Sequence, residues 1–193
     1  MTTKTSDSVA AERIRRAAVE AFAESGYGGT STREITKRLG MSATAMYPHY
    51  RSKEELLFTI SLEGHQSALV ALQSADDPTA GHLERLRSVV AAFTLWQAEQ
   101  RQLARVVQYE LNALSPAHYK AIAAIRRDTT DVITAIVEGG KKSGDFTIGK
   151  PDDVVLAISS LCVDVCRWFP STSHRDPEIL AQTYADIAQK LVG

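Results

Sequence analysis

The segment from Ser31 to Leu56 constrains the fold of this chain more than any other. Ser31 and Glu34 have the spacing of a capping box, in which each side chain accepts a hydrogen bond from the other residue's backbone amide. Gly40 can adopt the left-handed backbone that ends a helix, and Ser42 can cap a second helix directly afterwards. Two helices joined by so short a turn cross steeply, and the second stays exposed. The spacing therefore predicts a helix-turn-helix, a unit that places its second helix in the major groove of DNA.

The apolar residues of the rest of the chain also recur at helical spacing, and no alternating run bounded by hairpin turns indicates a strand. The first predicted helix has an apolar stripe from Ile14 to Phe22 and ends at Gly26. Further helices are predicted at 32–39, 43–47, 53–73, 81–98, 100–111, 116–138, 152–169 and 177–192. Only polar residues mark the break near residue 99, so a single longer helix is the alternative there. The pattern predicts an all-α fold of about nine helices.

The composition is that of a chain that can fold without disulfides or metals. Of its 193 residues, 44% are hydrophobic and 23% are charged, which is enough for one or two domains with their own cores. Cys162 and Cys166 are the only cysteines and lie four residues apart on one predicted helix, where a disulfide is not expected. A reducing cytoplasm is therefore the predicted location. The polar start MTTKTSDS and the short uncharged stretch 154–163 predict no secretion signal and no membrane role.

Charge is distributed unevenly along the chain. The net charge is −1, so the chain as a whole lacks the basic footprint of many DNA-binding proteins. The stretch from 33 to 53 is different, because its basic residues are Arg33, Lys37, Arg38, Arg51 and Lys53 and its single acidic residue is Glu34. Phosphate groups would have to be met in this stretch.

The last two predicted helices indicate a dimer interface. The helix at 152–169 is apolar on nearly all sides and needs cover on two faces, while the helix at 177–192 has one apolar seam. Pairing with the same helices of a twofold mate would provide that cover. The predicted interface residues are Ile158, Leu161, Val165, Trp168, Leu180, Tyr184, Ile187 and Leu191. The alternative is that the helix at 152–169 is simply buried in the core of a monomer.

Residues 13–57 resemble the DNA-binding domain of TetR-type transcriptional regulators. The resemblance rests on FAESGY at 22–27, on SKEEL at 52–56, and on Ile35, Gly40, Ser42, Tyr47 and His49. EGGKKSGDF at 138–146 is similar to the end of a helix in the C-terminal domain of that family. The Arg167-Trp168 pair is similar to the residues found late in the corresponding helix in one branch of the family. Members of that branch often respond to lipid or sterol breakdown products and their CoA esters. The resemblance implies a three-helix DNA-binding domain in residues 1–52 and a larger helical ligand-binding and dimerisation domain in residues 53–193.

The resemblance also implies which residues contact DNA. Phosphate contacts are implied for Thr32, Arg33, Tyr47, His49 and Lys53, and base-edge contacts for Ala43, Thr44 and Ala45, next to the capping residue Ser42. Small side chains at 43–45 suit thymine methyl groups and leave part of the specificity to DNA shape. Lys37 and Arg38 either reach phosphates or only keep the surface soluble.

Three positions depart from the pattern of the family. Thr36 stands where alanine is common, and Met41 and Met46 replace aliphatic residues with an adaptable one. Pro48 is the most consequential, because it cannot donate a hydrogen bond to the Thr44 carbonyl and crowds that carbonyl. The second helix of the motif should therefore end or kink near Tyr47, and His49 and Tyr50 should be aimed differently from the pattern of the family.

Catalytic chemistry is not indicated. The chain contains no HExxH, GxSxG or CxxC motif and no phosphate-cradling glycine loop, and its five histidines are scattered. We predict neither an enzyme nor a cofactor. Cys162 and Cys166 are best explained as buried thiols, with a soft-metal or oxidation-sensing role as the alternative.

The larger helical part carries more apolar bulk than a simple bundle needs, which favours a ligand cavity between helices. The predicted lining residues are Phe93, Trp96, Val107, Tyr109, Tyr119, Ile122, Ile133, Cys162 and Cys166. Polar anchors are available in Glu110, Asn112, His118, Arg126 and Arg127. The alternative is that the apolar residues only fill the core and the charged ones only face water.

Taken with the resemblance, these features predict a homodimeric transcriptional repressor in the cytoplasm. It would bind a palindromic double-stranded DNA operator and be released by a small, largely apolar effector, for which the resemblance implies a lipid-derived or CoA-linked metabolite. A ligand-dependent activator and an effector-independent DNA-binding protein are the main alternatives, and a helical carrier or enzyme is the more distant one.

Overall fold

The structure is a computed structural model that describes the backbone of residues 3–193 and side chains from Val9 onward. The start of the polar segment MTTKTSDS, residues 1–2, lies outside the described residues. Within the described range all elements are helical, which confirms the predicted all-α fold. The helices are α1 (Thr3–Gly29), α2 (Thr32–Arg38), α3 (Lys53–Ala75), α4 (His82–Glu99), α5 (Arg101–Tyr109), a 3-10 helix (Leu111–Ala113), α6 (Pro116–Ser143), α7 (Pro151–Trp168) and α8 (Pro177–Val192). Among these residues, no helix is both long enough and apolar enough to cross a membrane.

The chain forms two compact units. The first unit comprises Met1–Gly64 and Gln102–Ile122, and the second comprises His65–Arg101 and Ala123–Gly193. Both α3 and α6 therefore supply residues to each unit. The predicted boundary between the functional domains lies after residue 52 and does not coincide with a boundary between these compact units. The functional division stays a prediction.

The core of the first unit is built on the apolar stripe of α1. Ile14, Ala18 and Phe22 are buried there, and α2 packs on α1 through the buried Ile35. Regular helical geometry is interrupted at Gly26, whose φ of 72° and ψ of 163° explain the predicted stop, although one further turn continues to Gly29. The stripe and its end were thus predictable from residue spacing alone.

The core of the second unit lies where α4 packs along α7 and α8. Ala98, Val165, Phe169 and Leu180 form a buried cluster there, and Trp168 and Tyr184 pack partly buried against it. The chain bends at Gln100, which caps α4 with φ of −93° and ψ of 28° before α5 begins. The predicted break near residue 99 is therefore confirmed, and the single longer helix is not formed.

The end of α6 depends on a close approach between a glycine and an aromatic ring. The Phe146 amide donates a hydrogen bond to the Gly140 carbonyl at 3.0 Å, which folds the chain back after the left-handed Gly144. A Cβ atom at residue 140 would lie only 2.3 Å from Cδ2 of the buried Phe146 ring. This position therefore admits glycine and no larger residue without movement of the ring.

Gly140→Ala should lower the free energy of unfolding by about 1–3 kcal/mol, because the added methyl group overpacks against Phe146. Urea denaturation followed by circular dichroism measures this change. Gly28→Ala is the matched control, since a Cβ at that helical position meets no atom within 4 Å. The control should be neutral or slightly stabilising. Equal stability of Gly140→Ala and wild type would show that the ring moves aside at no cost.

Candidate nucleic-acid interface and ligand domain

The first helix of the predicted helix-turn-helix forms with the Ser31 half of its predicted capping box in place. Ser31 has the extended backbone of an N-cap, with φ of −96° and ψ of 156°, and its hydroxyl accepts a hydrogen bond from the Glu34 amide at 3.1 Å. The Glu34 carboxylate lies 3.6 Å from the Arg38 guanidinium. The helix ends at Leu39 and Gly40, and Gly40 has the expected positive φ of 64°.

The second helix of the motif is replaced by a series of turns over residues 43–49, here called the reading segment. Backbone bonds with a three-residue spacing hold it: Ala45 to Ser42 at 3.0 Å, Tyr47 to Thr44 at 3.2 Å and His49 to Met46 at 3.0 Å. The predicted α-helix at 43–47 is therefore wrong. Pro48 supplies the reason, because it lacks the amide that would bond to Thr44, and that carbonyl is taken up by Tyr47 instead.

One side of the reading segment is buried in the first unit, and the other side is accessible to solvent. Met46 is fully buried, while Ala43, Thr44 and Tyr47 are exposed, Tyr47 to 51%. The hydroxyl groups of Ser42 and Thr44 lie 3.2 Å apart. Of the other predicted DNA-contact residues, Arg33 and Ser42 are exposed, and Thr32, Ala45, His49 and Lys53 are partly exposed. All nine are thus accessible in the first unit, and their contacts with DNA stay a prediction.

Lys53 has an intramolecular role that sequence analysis missed. Its ammonium donates hydrogen bonds of 2.8 Å to the Tyr27 and Thr30 carbonyls and lies 4.0 Å above the centre of the Tyr27 ring. A cation at the end of α1 stabilises the negative end of the helix dipole and satisfies carbonyls without helical partners. Only the remaining N–H of the ammonium is left for the phosphate contact that the resemblance implies.

The residue that follows the reading segment is anchored to α1. The Tyr50 side chain is buried, and its hydroxyl accepts a hydrogen bond from Arg15 at 3.0 Å and donates one to the Ala11 carbonyl at 3.2 Å. Arg15 also pairs with Glu12, and with Glu63 at 3.0 Å. Burial is the largest influence on Tyr50, and it raises the pKa of the phenol despite the nearby guanidinium. Tyr50 therefore anchors the end of the reading segment to α1, and its buried side chain is not available for a contact with DNA.

His118, proposed from sequence as a polar ligand anchor, is bonded within the first unit. Its Nδ1 lies 2.8 Å from Oε1 of Glu54, which also accepts the Ser115 amide at 2.8 Å, and its ring stacks on Phe58 with centres 3.8 Å apart. Partial burial alone would raise the pKa of Glu54, but the bonds from Ser115 and His118 outweigh it and lower that pKa overall. The start of α3 is thereby tied to the start of α6.

The nine predicted ligand-lining residues divide between the two units. Phe93, Trp96, Ile133, Cys162 and Cys166 are buried in the second unit, where the Trp96 indole donates to the Ser67 hydroxyl at 3.1 Å. In the first unit Val107 and Ile122 are buried, whereas Tyr109 and Tyr119 are exposed. Their common role in binding a ligand stays a prediction.

The two cysteines have the environment of core thiols. The Thr94 hydroxyl lies 3.6 Å from Sγ of the fully buried Cys162, and burial raises the pKa of that thiol to about 12. A thiol that stays protonated is a poor metal ligand and a poor nucleophile. The described part of the chain also holds no group of three or more His, Cys, Asp or Glu residues placed to bind a metal. The buried-thiol interpretation is the one that the geometry supports.

The predicted dimer residues occupy different depths on α7 and α8. Ile158, Val165 and Leu180 are buried within the chain, and Trp168, Tyr184 and Ile187 are partly buried. Leu161 and Leu191 are exposed, and so are Leu156 and Ile179, which the sequence pattern did not single out. The buried residues of this set cannot contact a partner subunit directly. They can only position the exposed residues that would. The interface itself stays a prediction.

This arrangement is typical of the class of helical DNA-binding proteins. Comparison with known proteins identifies the family. Residues 14–60 match the family described as bacterial regulatory proteins, tetR family, and residues 79–192 match the Tetracyclin repressor-like C-terminal domain. The chain belongs to the TetR family of transcriptional regulators. Family membership confirms the predicted helix-turn-helix regulator and the prediction that it is not an enzyme.

Individual relatives agree along most of the chain. A tetR-family regulatory protein from Rhodococcus RHA1 has 52% identity, covers 95% of this chain and 97% of its own, and superposes with a TM-score of 0.92. The transcriptional activator FasR of Mycolicibacterium smegmatis is 37% identical over 79% of this chain and 68% of its own. The transcriptional repressor KstR2 of Mycobacterium tuberculosis is 34% identical over 86% of this chain and 84% of its own.

More distant structures share the fold. AibR in complex with isovaleryl coenzyme A and operator DNA has 21% identity and a TM-score of 0.84, covering 92% of this chain and 97% of its own. FadR from Bacillus subtilis in complex with stearoyl-CoA has 21% identity and a TM-score of 0.74, covering 94% and 99%.

Glu54→Gln should remove part of the acid sensitivity of the protein. The folded-state pKa of Glu54 lies below its ordinary value of 4.5, so its stabilising contribution is complete above pH 4.5 and is lost as pH falls through the lower, folded-state pKa. Near neutral pH the variant should be less stable by about 1 kcal/mol, and this difference should shrink as pH falls below 4.5. Urea denaturation across pH measures it.

Glu20→Gln, on the exposed side of α1, is the control and should follow the wild type at every pH. If wild type and Glu54→Gln instead keep a constant separation down to the acid limit, the Glu54 carboxylate does not hold the contact in its charged form.

Proposed function

We propose that this protein is a homodimeric repressor that binds an inverted-repeat operator and is released by a lipid-derived or CoA-linked effector. The observation that carries the proposal is the reading segment, which is exposed at Ala43, Thr44 and Tyr47 above the buried Met46. Two such segments in a twofold dimer would read half-sites with centres about 34–36 Å apart, or a multiple of that distance.

The charged residues beside the reading segment divide into those that are paired and those that face solvent. The Arg38 guanidinium pairs with Glu24 at 2.6 Å and with Glu34 at 3.6 Å, so Arg38 stabilises the fold of the first unit. Arg33 and Lys37 are exposed on α2. We therefore assign phosphate binding to Arg33 and Lys37 and remove Arg38 from that role. Phosphate contacts of this kind fix register and carry no sequence information.

Sequence readout is assigned to the small residues of the segment. Ala43, Thr44 and Ala45 offer methyl groups for thymine and one hydroxyl for a base edge. The 3.2 Å contact between the Ser42 and Thr44 hydroxyl groups orients the latter before DNA arrives. Because this set is thin, part of the specificity would come from DNA shape and deformability.

The effector class is supported by proteins that share the fold. The structure of AibR contains isovaleryl coenzyme A, and that of FadR contains stearoyl-CoA. KstR2 is a ketosteroid transcriptional regulator. The buried aromatic and aliphatic side chains of the second unit suit an apolar acyl or ring system. An effector acts only through unequal affinity for two states, and about 5.5 kcal/mol of difference would swing the population from 1:99 to 99:1.

Activation is the second candidate, because FasR is an activator and KstR2 a repressor. In vitro transcription from a promoter that carries the retained DNA fragment distinguishes the two, since a repressor lowers transcript yield and an activator raises it. Addition of isovaleryl coenzyme A or stearoyl-CoA then tests the effector. If neither ester changes the amount of bound operator, the effector class proposed here is wrong while the DNA-binding function stands.

Arg33→Ala should weaken binding to all DNA sequences alike and reduce the salt slope of binding by about 1 per half-site, or about 2 for the dimer, because each subunit loses one phosphate contact. Thr44→Val should instead change the preference between sites by about 1–3 kcal/mol per half-site, because it removes the hydroxyl and keeps the side-chain shape. Fluorescence anisotropy at several salt concentrations measures both. Absence of sequence-selective retention by the wild type at any salt concentration would contradict the proposed function.

Leu161→Glu should weaken dimerisation by at least about tenfold, because it places a charge in the proposed apolar interface on α7. Leu161 is 40% exposed, so the substitution spares the core of the chain. Val70→Glu is the control, since Val70 on α3 is 58% exposed and lies outside α7 and α8. Sedimentation velocity measures the monomer fraction, and an unchanged dimer in Leu161→Glu would place the interface elsewhere.

A further inference from the structure

Gln97 is an exception among the buried polar residues of α4. Its side chain is completely buried, with 0% exposure, and neither Nε2 nor Oε1 has a hydrogen-bond partner within the described residues. The neighbouring polar groups do have partners, since the Trp96 indole donates to Ser67 and the Thr94 hydroxyl contacts Cys162. A buried amide without a partner is costly, so its presence calls for a group that the protein chain does not supply.

A second unpaired group lies on the helix that packs against α4. The Ser159 hydroxyl of α7 is buried and has no partner among the described side chains and backbone groups. It stands one turn before Cys162, which contacts Thr94, and Thr94 stands one turn before Gln97. Two unsatisfied neutral groups thus occur on one pair of packed helices of the second unit.

The chemistry of these groups defines what they can bind. A carboxamide offers two donor hydrogens and one acceptor oxygen, so a full complement needs a partner that both accepts and donates. None of the buried residues described on α4 and α7, the helices that carry Gln97 and Ser159, is Asp, Glu, Lys, Arg or His. A charged ligand group placed there would lack a counter-charge and would pay the cost of desolvation. The site therefore favours an uncharged hydrogen-bonding group.

We propose that an effector binds inside the second unit between α4 and α7, that Gln97 is its recognition residue, and that the effector presents to it a neutral group able to accept and donate hydrogen bonds. A hydroxyl or a carboxamide on an otherwise apolar body has this chemistry. The carboxamides and hydroxyl of the pantetheine arm of a CoA ester have it as well. The inference rests on the proposed function, since it specifies which part of the proposed effector is read inside the second unit.

Gln97→Met tests the state of the free protein, because methionine keeps the length of the side chain and removes both polar atoms. The variant should melt at a higher temperature than the wild type, since an unpaired amide is replaced by an apolar group of similar shape. Gln182→Met on the exposed face of α8 is the control and should melt like the wild type. A lower melting temperature for Gln97→Met would show that the amide is already paired within the chain and would overturn the inference.

Ligand chemistry is tested with four probes of similar chain length: octan-1-ol, octanamide, octanoate and 1-methoxyoctane. Isothermal titration calorimetry should show octan-1-ol and octanamide binding the wild type at least about tenfold more tightly than octanoate or the ether. Gln97→Met should lose this preference, and Gln182→Met should keep it. Equal binding of all four probes, or a preference that survives in Gln97→Met, would overturn the inference.

A raised melting temperature with no binding of any probe would mean that the amide holds only water, which also overturns it. Operator binding without ligand is measured for the wild type and for the control Gln182→Met, and should be the same for both. Failure of the wild type to retain any operator would count against the proposed function, whatever the probes show. The two failures are thus distinguishable.

Discussion

The contact of the Lys53 ammonium with the end of α1 is the interaction on which the DNA-reading part of this protein depends. It joins the first residue of α3 to the Tyr27 carbonyl in the last turn of α1 and to the Thr30 carbonyl directly after that helix. The reading segment lies between these two points in sequence, so its ends are held while its middle stays accessible. Tyr50 adds a second attachment to α1 through Arg15 and the Ala11 carbonyl. Removal of either attachment would loosen the presentation of residues 43–49 before any DNA contact is made.

Local signals in the sequence predicted local structure well. The Ser31 cap, the positive φ of Gly40 and the interruption at Gly26 follow from residue types and short spacings, and all are present. Pro48 shows the limit of this reasoning. Its missing amide predicted an early end to the second helix of the motif, but the outcome was a run of three-residue turns with no α-helix at all. The loss of a single backbone hydrogen bond is enough to prevent an α-helix here, because so short a segment has few other hydrogen bonds to stabilise one.

Contacts between residues far apart in sequence were not predictable from one chain. Lys53 was assigned to phosphate and His118 to a ligand, yet each has an intramolecular partner, in Tyr27 and Glu54 respectively. The apolar seams of α7 and α8 illustrate the same limit. Periodicity located the apolar positions but could not tell Val165, which packs in its own chain, from Leu161, which does not. The burial of Gln97 was not predicted either, because a buried amide has no signature in the sequence.

The turn geometry of residues 43–49 changes the length scale on which this protein can inspect a groove. Three-residue turns advance about 2.0 Å per residue, whereas an α-helix advances about 1.5 Å. Over the four steps from Ala43 to Tyr47, a backbone of 3-10 pitch would cover roughly 8 Å, where a regular α-helix would cover roughly 6 Å. With base pairs stacked about 3.4 Å apart, the difference is more than half a step along the duplex. A segment with that pitch would meet successive base pairs at a different spacing from a regular recognition helix.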